Sequence, residues 1–256
     1  MSVLLCEAQG GILTLTLNRP ETINALTSEM LRELARVFAK DATQPEVRVV
    51  VLRGAGRGFC SGQDLREFEG KPISYKSHLR NYQAVVESIA NLEKPVIAAL
   101  HGAAAGAGLS LALACDLRIA AADAVLTTGF SKIGLIPDAG MNYHLPRIVG
   151  YAKAFELEAL SERLKAEEAL ALGLVNRVVP VESFEAEVAR QSAALAQGPT
   201  KTYGLIKRAL RRSASATLEE MLEYEALLQE VAGRTEDHKE GVQAFYEKRP
   251  PKYSGK

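Results

Sequence analysis

A chain of 256 residues, 47% of them hydrophobic, can bury a large core, so one α/β domain, or a main domain with a small appendage, is expected and no staples are needed. Lysine plus arginine equals aspartate plus glutamate at 31 each, so the overall field favours neither a nucleic acid nor a membrane surface as partner. Cys6, Cys60 and Cys115 are odd in number, widely spaced and without a metal-ligand pattern, which suits reduced thiols in the cytoplasm better than a disulfide framework.

Residues 4–6 and 12–18 flank Gln9-Gly10-Gly11, and Leu13, Leu15 and Leu17 alternate with threonines, predicting a hairpin with one buried face. No basic region followed by an apolar core opens the chain, so no signal peptide is expected. After Pro20, Thr27 can cap a helix whose Met30, Leu31, Leu34, Val37 and Phe38 recur at helical spacing. The β-branched run 47–52 reads as a strand covered on both faces and leads into the glycine-rich segment 54–65. That segment has the spacing of neither a dinucleotide fingerprint nor a phosphate-binding loop.

Leu79, Tyr82, Val85, Ile89 and Leu92 mark a helix ending before Pro95, and 96–100 is the next strand. Residues 95–115 carry no charge, which is long enough to raise a membrane helix; His101 and the glycine cluster argue for a buried strand, a glycine turn and a buried helix instead. The change from glycine-rich to leucine-rich text at Leu109 reads as a loop entering that helix, whose start presents unpaired N–H groups. With 117–121 as another strand, the N-terminal part is expected to consist of parallel units with ligands at the carboxyl ends of strands. Beyond Gly150 the text is helical: 151–160, 165–172, 182–196, 201–212, 217–231 and 236–248, interrupted by an apolar piece at 174–179. The final 250–256 reads as a loose tail.

Two strand-to-glycine junctions, Ser61-Gly62-Gln63 and Gly106-Ala107-Gly108, can aim two main-chain N–H groups at one oxygen. The same glycines can also do no more than permit tight turns and close packing. Acids are few: no glutamate lies between Glu93 and Glu156, and the aspartates there are Asp116, Asp123 and Asp138. Asp116 sits at a helix-to-strand join that favours turn hydrogen bonds, Asp123 in an exposed turn, and Asp138 in a Pro-Asp-Ala-Gly turn entering an apolar segment. His101 reads as a hydrogen-bonded core residue, and His144 follows Asp138 by six positions without an evident orienting partner. Ser110 lies in the first turn or so of its helix, where a hydroxyl bonds back to the main chain. Lys201, Lys207, Arg208, Arg211 and Arg212 form a basic helical face, either solvated or a phosphate contact; without interleaved aromatics it does not read as a nucleic-acid surface.

Taken together, Leu17-Asn18-Arg19-Pro20 with Asn24-Ala25-Leu26, Phe59-Cys60-Ser61-Gly62-Gln63-Asp64-Leu65, Ala104-Ala105-Gly106-Ala107-Gly108, Gly134-Leu135-Ile136-Pro137-Asp138 and Phe245-Tyr246-Glu247-Lys248-Arg249 resemble the enoyl-CoA hydratase/isomerase (crotonase) superfamily over essentially the full length. The resemblance implies an α/β fold with a ββα spiral core over 1–195. It also implies a C-terminal helical region, 196–256, that covers the CoA site and forms a homotrimer or a dimer of trimers. An acyl-CoA thioester is then the substrate, with its carbonyl oxygen between the N–H groups of Gln63 and Ala107, and with Ser61, Asp64, Leu65, Gly106, Phe245 and Lys248 in the binding positions. No metal and no cofactor beyond the substrate's own coenzyme A is implied, nor a nucleic-acid or membrane partner.

The chain departs from the hydratase pattern where that pattern places its two glutamates: these positions are Ser110 and Phe130. Adding water needs both water activation and proton delivery, so the resemblance points instead to the superfamily's isomerases, of ring-epoxidised phenylacetyl-CoA or of 3-enoyl-CoA, with Asp138 as the single acid/base. A hydratase with an unconventional acid, and a non-catalytic acyl-CoA or RNA-binding protein, are the alternatives. Dehalogenases of the superfamily add a histidine base, and His144 falls short of its position.

Overall fold

Leucines alternating with threonines make β2 (Ile12–Leu17) a strand with one buried face, and it pairs antiparallel with β1 (Leu4–Gln9). These observations come from a computed structural model that describes residues 2–70 and 72–256. Helix α1 (Ser28–Ala39) starts where Thr27 accepts the N–H of Met30 at 3.2 Å, and it buries the five apolar residues set at helical spacing. The next strand, β3 (Val49–Gly54), begins two residues later than expected: Val47 donates to the Gln44 carbonyl in a turn, and Arg48 donates to the distant Gly11 carbonyl before the ladder with β2 begins. Then follow α2 (Tyr75–Asn91), β4 (Val96–Leu100), β5 (Ala103–Ala105), α3 (Ala107–Ala114), β6 (Leu117–Ala121), β7 (Val125–Thr127), α4 (Met141–Val149) and α5 (Tyr151–Leu160). Leu164–Lys165 form β8, followed by α6 (Ala166–Ala171), β9 (Arg177–Val179), α7 (Phe184–Ala196), α8 (Thr200–Ser213), α9 (Leu218–Gly233) and α10 (Glu236–Glu247).

Six strands form one sheet in the order β1-β2-β3-β4-β6-β9, parallel from β2 onward. Along β3, Val50 and Leu52 join a core with Leu15, Leu31, Phe38 and Ile89, whereas Val49 and Val51 face Ile97, Ile119, Phe184 and Val188. The unbroken β-branched run is therefore covered on both faces, as a buried parallel strand requires. Short extended pieces form a second layer: Leu26 bridges Gln63, Cys60 bridges Ala104, and β5, β7 and β8 make a three-stranded sheet. Each pass of the chain thus adds one strand to each layer, which is the ββα spiral.

Two expectations need correction. Helix α3 starts at Ala107 rather than Leu109, and Ala103–Ala105 is a strand. Alanine has little β-propensity; here the neighbours Cys60 and Leu126 supply the hydrogen bonds on either side. The C-terminal residues are not loose. Asp237, 2% exposed, accepts the N–H groups of Ser254 and Gly255 at 2.6 and 2.9 Å, and Arg48 donates to the Tyr253 carbonyl at 3.0 Å.

Among the described residues no helix is long and apolar enough to cross a membrane, and the uncharged run is divided among β4, β5 and α3. All three cysteines are free, Cys60 and Cys115 buried.

Candidate active site

The two glycine-rich segments meet through Cys60. Its N–H donates to the Ala103 carbonyl at 2.9 Å and its carbonyl accepts the Ala105 N–H at 2.9 Å, locking the loops in strand-like register. Gly62 follows at φ +99°, a conformation that favours glycine, and a β-carbon there would stand 3.6 Å from the Ala107 nitrogen. Ala107 is the first residue of α3, where the helix offers its N–H no partner. Leu26 donates to the Gly62 carbonyl and accepts from the Asp64 N–H, both at 2.8 Å, so the pairing skips the Gln63 N–H between them. Among the described residues neither the Gln63 nor the Ala107 N–H has an acceptor. Two unclaimed donors therefore lie on adjoining loops, one of them at the positive end of a helix.

The Gln63 side chain is held on both ends. Its Oε1 accepts from the Tyr82 hydroxyl at 2.6 Å and lies 3.0 Å from His78 Nε2, while its Nε2 donates to Glu67 Oε2 at 3.1 Å and to the Asp64 carbonyl at 3.2 Å. Burial, then the charges of Cys60, Asp138 and Glu67, push the Tyr82 hydroxyl well above its ordinary value. Burial lowers His78. Asp138 is therefore close enough to act electrostatically on the tyrosine that bonds Gln63.

Asp138 occupies the turn before α4, where Ala139 (φ +50°) and Gly140 (φ +86°) are both left-handed and Asn142 donates to the Pro137 carbonyl at 2.5 Å. A non-glycine residue at positive φ carries strain, so the turn is over-determined by its surroundings. The Asp138 carboxyl is half-buried, its Oδ1 is sealed from solvent without a hydrogen-bond partner, and burial raises its pKa to about 6. His144 touches the same turn: a β-carbon on Gly140 would lie 3.4 Å from its ring. Burial first, then Arg118, Arg147 and Arg211, lower His144 to about 4, so it is neutral near pH 7.

A cavity of about 1000 Å³ opens between α2, the end of α3, the Asp138 turn and α8. Its wall is mostly apolar, with Leu79, Tyr82, Val86, Leu113, Ala139 and Gly140 on the core side and Arg80, Arg147 and Arg211 among its charged residues. Tyr82 links this cavity to Gln63, and Ala139 links it to Asp138, although Asp138, Gln63 and Ala107 do not line it themselves.

The other expected positions divide. Gly106 adjoins the unclaimed donors. Ser61 Oγ donates to the Thr22 carbonyl at 2.8 Å. The Asp64 carboxylate caps the turn at Leu65–Phe68 and pairs with Arg66 and Arg19, which hold it down at about 2; its oxygens are occupied by the fold. Leu65 is exposed. Phe245 lies against a different cavity, with Thr202, Gln229, His238 and Tyr253, and Lys248 terminates α10, so within one chain neither reaches the cavity beside Asp138.

Ser110 is buried with Oγ 3.4 Å from the Gly106 carbonyl, and Phe130 is buried, so both hydratase acid positions are non-acidic. Asp116 accepts the Val96 N–H and Lys207, 20 and 91 positions away, so it is tied into the fold by distant partners and not by the local turn bonds expected of it. His101, half-buried and not a core residue, bonds the Gly56 carbonyl. The basic face of α8 is tied inward: Lys201 and Arg208 to Glu93, Lys207 to Asp116, and Arg211 to Ala90 and Asn91. Sequence reasoning missed His78 and Glu67 and saw Tyr82 only as a core position. The available signal was a tyrosine on a buried helix face, whose hydroxyl needs a partner.

The family described as enoyl-CoA hydratase/isomerase matches residues 7–256. The chain is 43% identical, over all of both chains, to the 1,2-epoxyphenylacetyl-CoA isomerase of Escherichia coli. Among solved structures, it is similar to an enoyl-CoA hydratase from Bacillus anthracis at TM-score 0.95 and 34% identity, covering 100% of both chains. It is also similar to one from Polaromonas sp. JS666 at TM-score 0.93 and 35% identity, covering 98% of this chain and 99% of the other. A full-length match in sequence and in backbone identifies the chain as a member of the enoyl-CoA hydratase/isomerase (crotonase) family.

Proposed function

We propose that the protein is an acyl-CoA isomerase in which Asp138 is the single proton carrier. Asp138 takes the acidic proton from the carbon next to the thioester carbonyl, and the N–H groups of Gln63 and Ala107 hold the oxygen that becomes the enolate. In a 3-enoyl-CoA the same proton returns to the far carbon of the double bond, C4, and the double bond moves one position toward the carbonyl. In a ring-epoxidised phenylacetyl-CoA, the ring C–C bond shared with the epoxide breaks to give the seven-membered oxepin, and Asp138 returns its proton to a ring carbon, so that the product is an isomer of the substrate. The observation that carries the reading is one carboxyl with a buried, unpaired oxygen, raised to about 6, that acts electrostatically on the tyrosine bonding Gln63, in a site where the N–H groups of Gln63 and Ala107 are unclaimed. Such a carboxyl is ionised near pH 7, and once protonated it gives the proton back, as a shuttle must. Main-chain donors and one carboxyl suffice for this chemistry, so no resident metal or redox group enters it. The name of the Escherichia coli relative supports the epoxide substrate.

Hydratase is the second reading, favoured by the names of the Bacillus anthracis and Polaromonas structures, and it would need a second acid in place of Ser110 and Phe130. We further propose a homotrimer or dimer of trimers, supported by exposed apolar residues on α9 and α10 such as Leu222, Leu227, Phe245 and Tyr246. The deciding experiment replaces Asp138 by Asn and follows double-bond migration in a 3-enoyl-CoA and ring expansion of the epoxide. A loss well beyond about tenfold is expected; activity within about tenfold of wild type, 1.4 kcal/mol of barrier, removes Asp138 from its role. Crotonyl-CoA in oxygen-labelled water separates the hydratase.

A further inference from the structure

We propose that the Gln63 side chain is a clamp for its own main-chain N–H, and that Tyr82, His78 and Glu67 are the positioning residues that hold it. The proposal rests on the reading of that N–H as an oxyanion donor.

A primary amide has two acceptor and two donor positions, and all four are filled here. Tyr82 and His78 occupy Oε1, at 2.6 and 3.0 Å; Glu67 and the Asp64 carbonyl occupy Nε2, at 3.1 and 3.2 Å. Glu67 also fixes which end is which, because turning the amide over would set its oxygen against a carboxylate. That carboxylate accepts the Ser28 N–H at 3.0 Å, at the first residue of α1. Tyr82, 2% exposed, is part of the core face of α2. The loop is thus tied to two helices at once.

The main chain around Gln63 needs such a restraint. Leu26 bonds the Gly62 carbonyl and the Asp64 N–H, leaving the intervening Gln63 N–H unpaired beside a glycine at φ +99°. A donor that must point at a developing charge gains from being fixed before the substrate arrives. The side chain supplies that restraint without occupying the N–H. The Tyr82 proton is committed to Gln63, so Tyr82 acts through Gln63 and not on the substrate.

The test uses the full chain with Tyr82→Phe, Gln63→Met, the double variant, His78→Leu and His78→Gln. Butyryl-CoA and phenylacetyl-CoA, isotopically labelled at the thioester carbonyl, are bound without turnover, and the carbonyl stretch is read by infrared difference spectroscopy. Wild type is expected to lower the stretch on binding. Tyr82→Phe and Gln63→Met should lose most of that shift and about tenfold or more in kcat on 3-enoyl-CoA, with KM within about threefold. The double variant should be no worse than Gln63→Met, because residues acting through one another are not additive. His78→Gln, which keeps an N–H donor, should recover what His78→Leu loses; His78 is half-buried, so these variants test the clamp even if core changes at Tyr82 impair folding. Full carbonyl shift and kcat in Tyr82→Phe and His78→Leu, or multiplicative losses in the double variant, overturn the clamp while leaving the donor reading intact. No shift in wild type with either thioester, or no binding, overturns the donor reading itself and the clamp with it.

Discussion

Cys60 leaves no room for a β-carbon at Gly108: one placed there would stand 2.6 Å from both Cβ and Sγ of Cys60. The first turn of α3 is therefore pressed against the loop that carries Gln63. Gly108→Ala must push the two apart, and overpacking of this kind costs about 1–3 kcal/mol. The expected result is a lower denaturant midpoint together with loss of activity, and partial recovery of both when Cys60→Gly, which removes both clashing atoms, is added. Burial pushes the Cys60 thiol up to about 12, so it should resist alkylation in the native wild type and become accessible faster in Gly108→Ala.

Asp138 gives a pH signature whose sign follows from its burial. Its carboxyl titrates at about 6 instead of the ordinary 3.8. As a base it must be ionised, so kcat/KM should rise with pH to a plateau, with its midpoint near 6 rather than near 4. Stability runs the other way. The folded chain holds the Asp138 proton more tightly than the unfolded chain, so the destabilisation from ionising it is absent below pH 3.8 and complete above about 6. Asp138→Asn should therefore be inactive yet at least as stable as wild type at pH 7, with the difference in Tm vanishing below pH 4. A variant less stable than wild type at pH 7 would contradict the burial argument.

Lys207 reaches from α8 into the core, with Nζ 2.7 Å from Asp116 Oδ2 and 2.8 Å from the Ile89 carbonyl. Its side chain is 10% exposed and that of Asp116 is 29% exposed. Burial raises Asp116, and Lys207 opposes that rise. Lys207→Met leaves a mostly buried carboxylate without its cation, which costs about 3 kcal/mol in comparable pairs. Urea unfolding should show that loss for the single variant and a smaller one for Lys207→Met with Asp116→Asn.

The alternation in β2, the β-branched run of β3, the Thr27 cap and the helical periodicities of α1 and α2 were legible because each follows from local chemistry and one buried face. So was the structural role of Ser110, which depends on a near neighbour. The short strand at Ala103–Ala105 was not, since alanines become a strand only when Cys60 and Leu126 arrive from 44 positions before and 22 after Ala104. The support around Gln63 was hidden for the same reason. Nothing near Tyr82 or Ser28 in the sequence says that both bond the same loop, and the basic face of α8 gave no hint that Glu93 and Asp116 would neutralise it.

The C-terminal tail offers a test far from the chemistry. Asp237 is buried at the start of α10, and its carboxylate is satisfied by main-chain N–H groups of Ser254 and Gly255, seventeen and eighteen residues onward. Arg48, just before β3, closes the arrangement by donating to the carbonyls of Tyr253 and Gly198 and to Thr200 Oγ1. Ending the chain after Pro251 would leave the Asp237 carboxylate buried without those donors, a loss of about 1–3 kcal/mol for each unmet group. The truncated protein should melt at lower temperature, and Asp237→Ala in the truncated chain should recover part of the loss because the orphaned charge is gone. In the full-length chain the same Asp237→Ala should be destabilising. If truncation leaves Tm unchanged, the bonds to Asp237 do not hold the tail in solution.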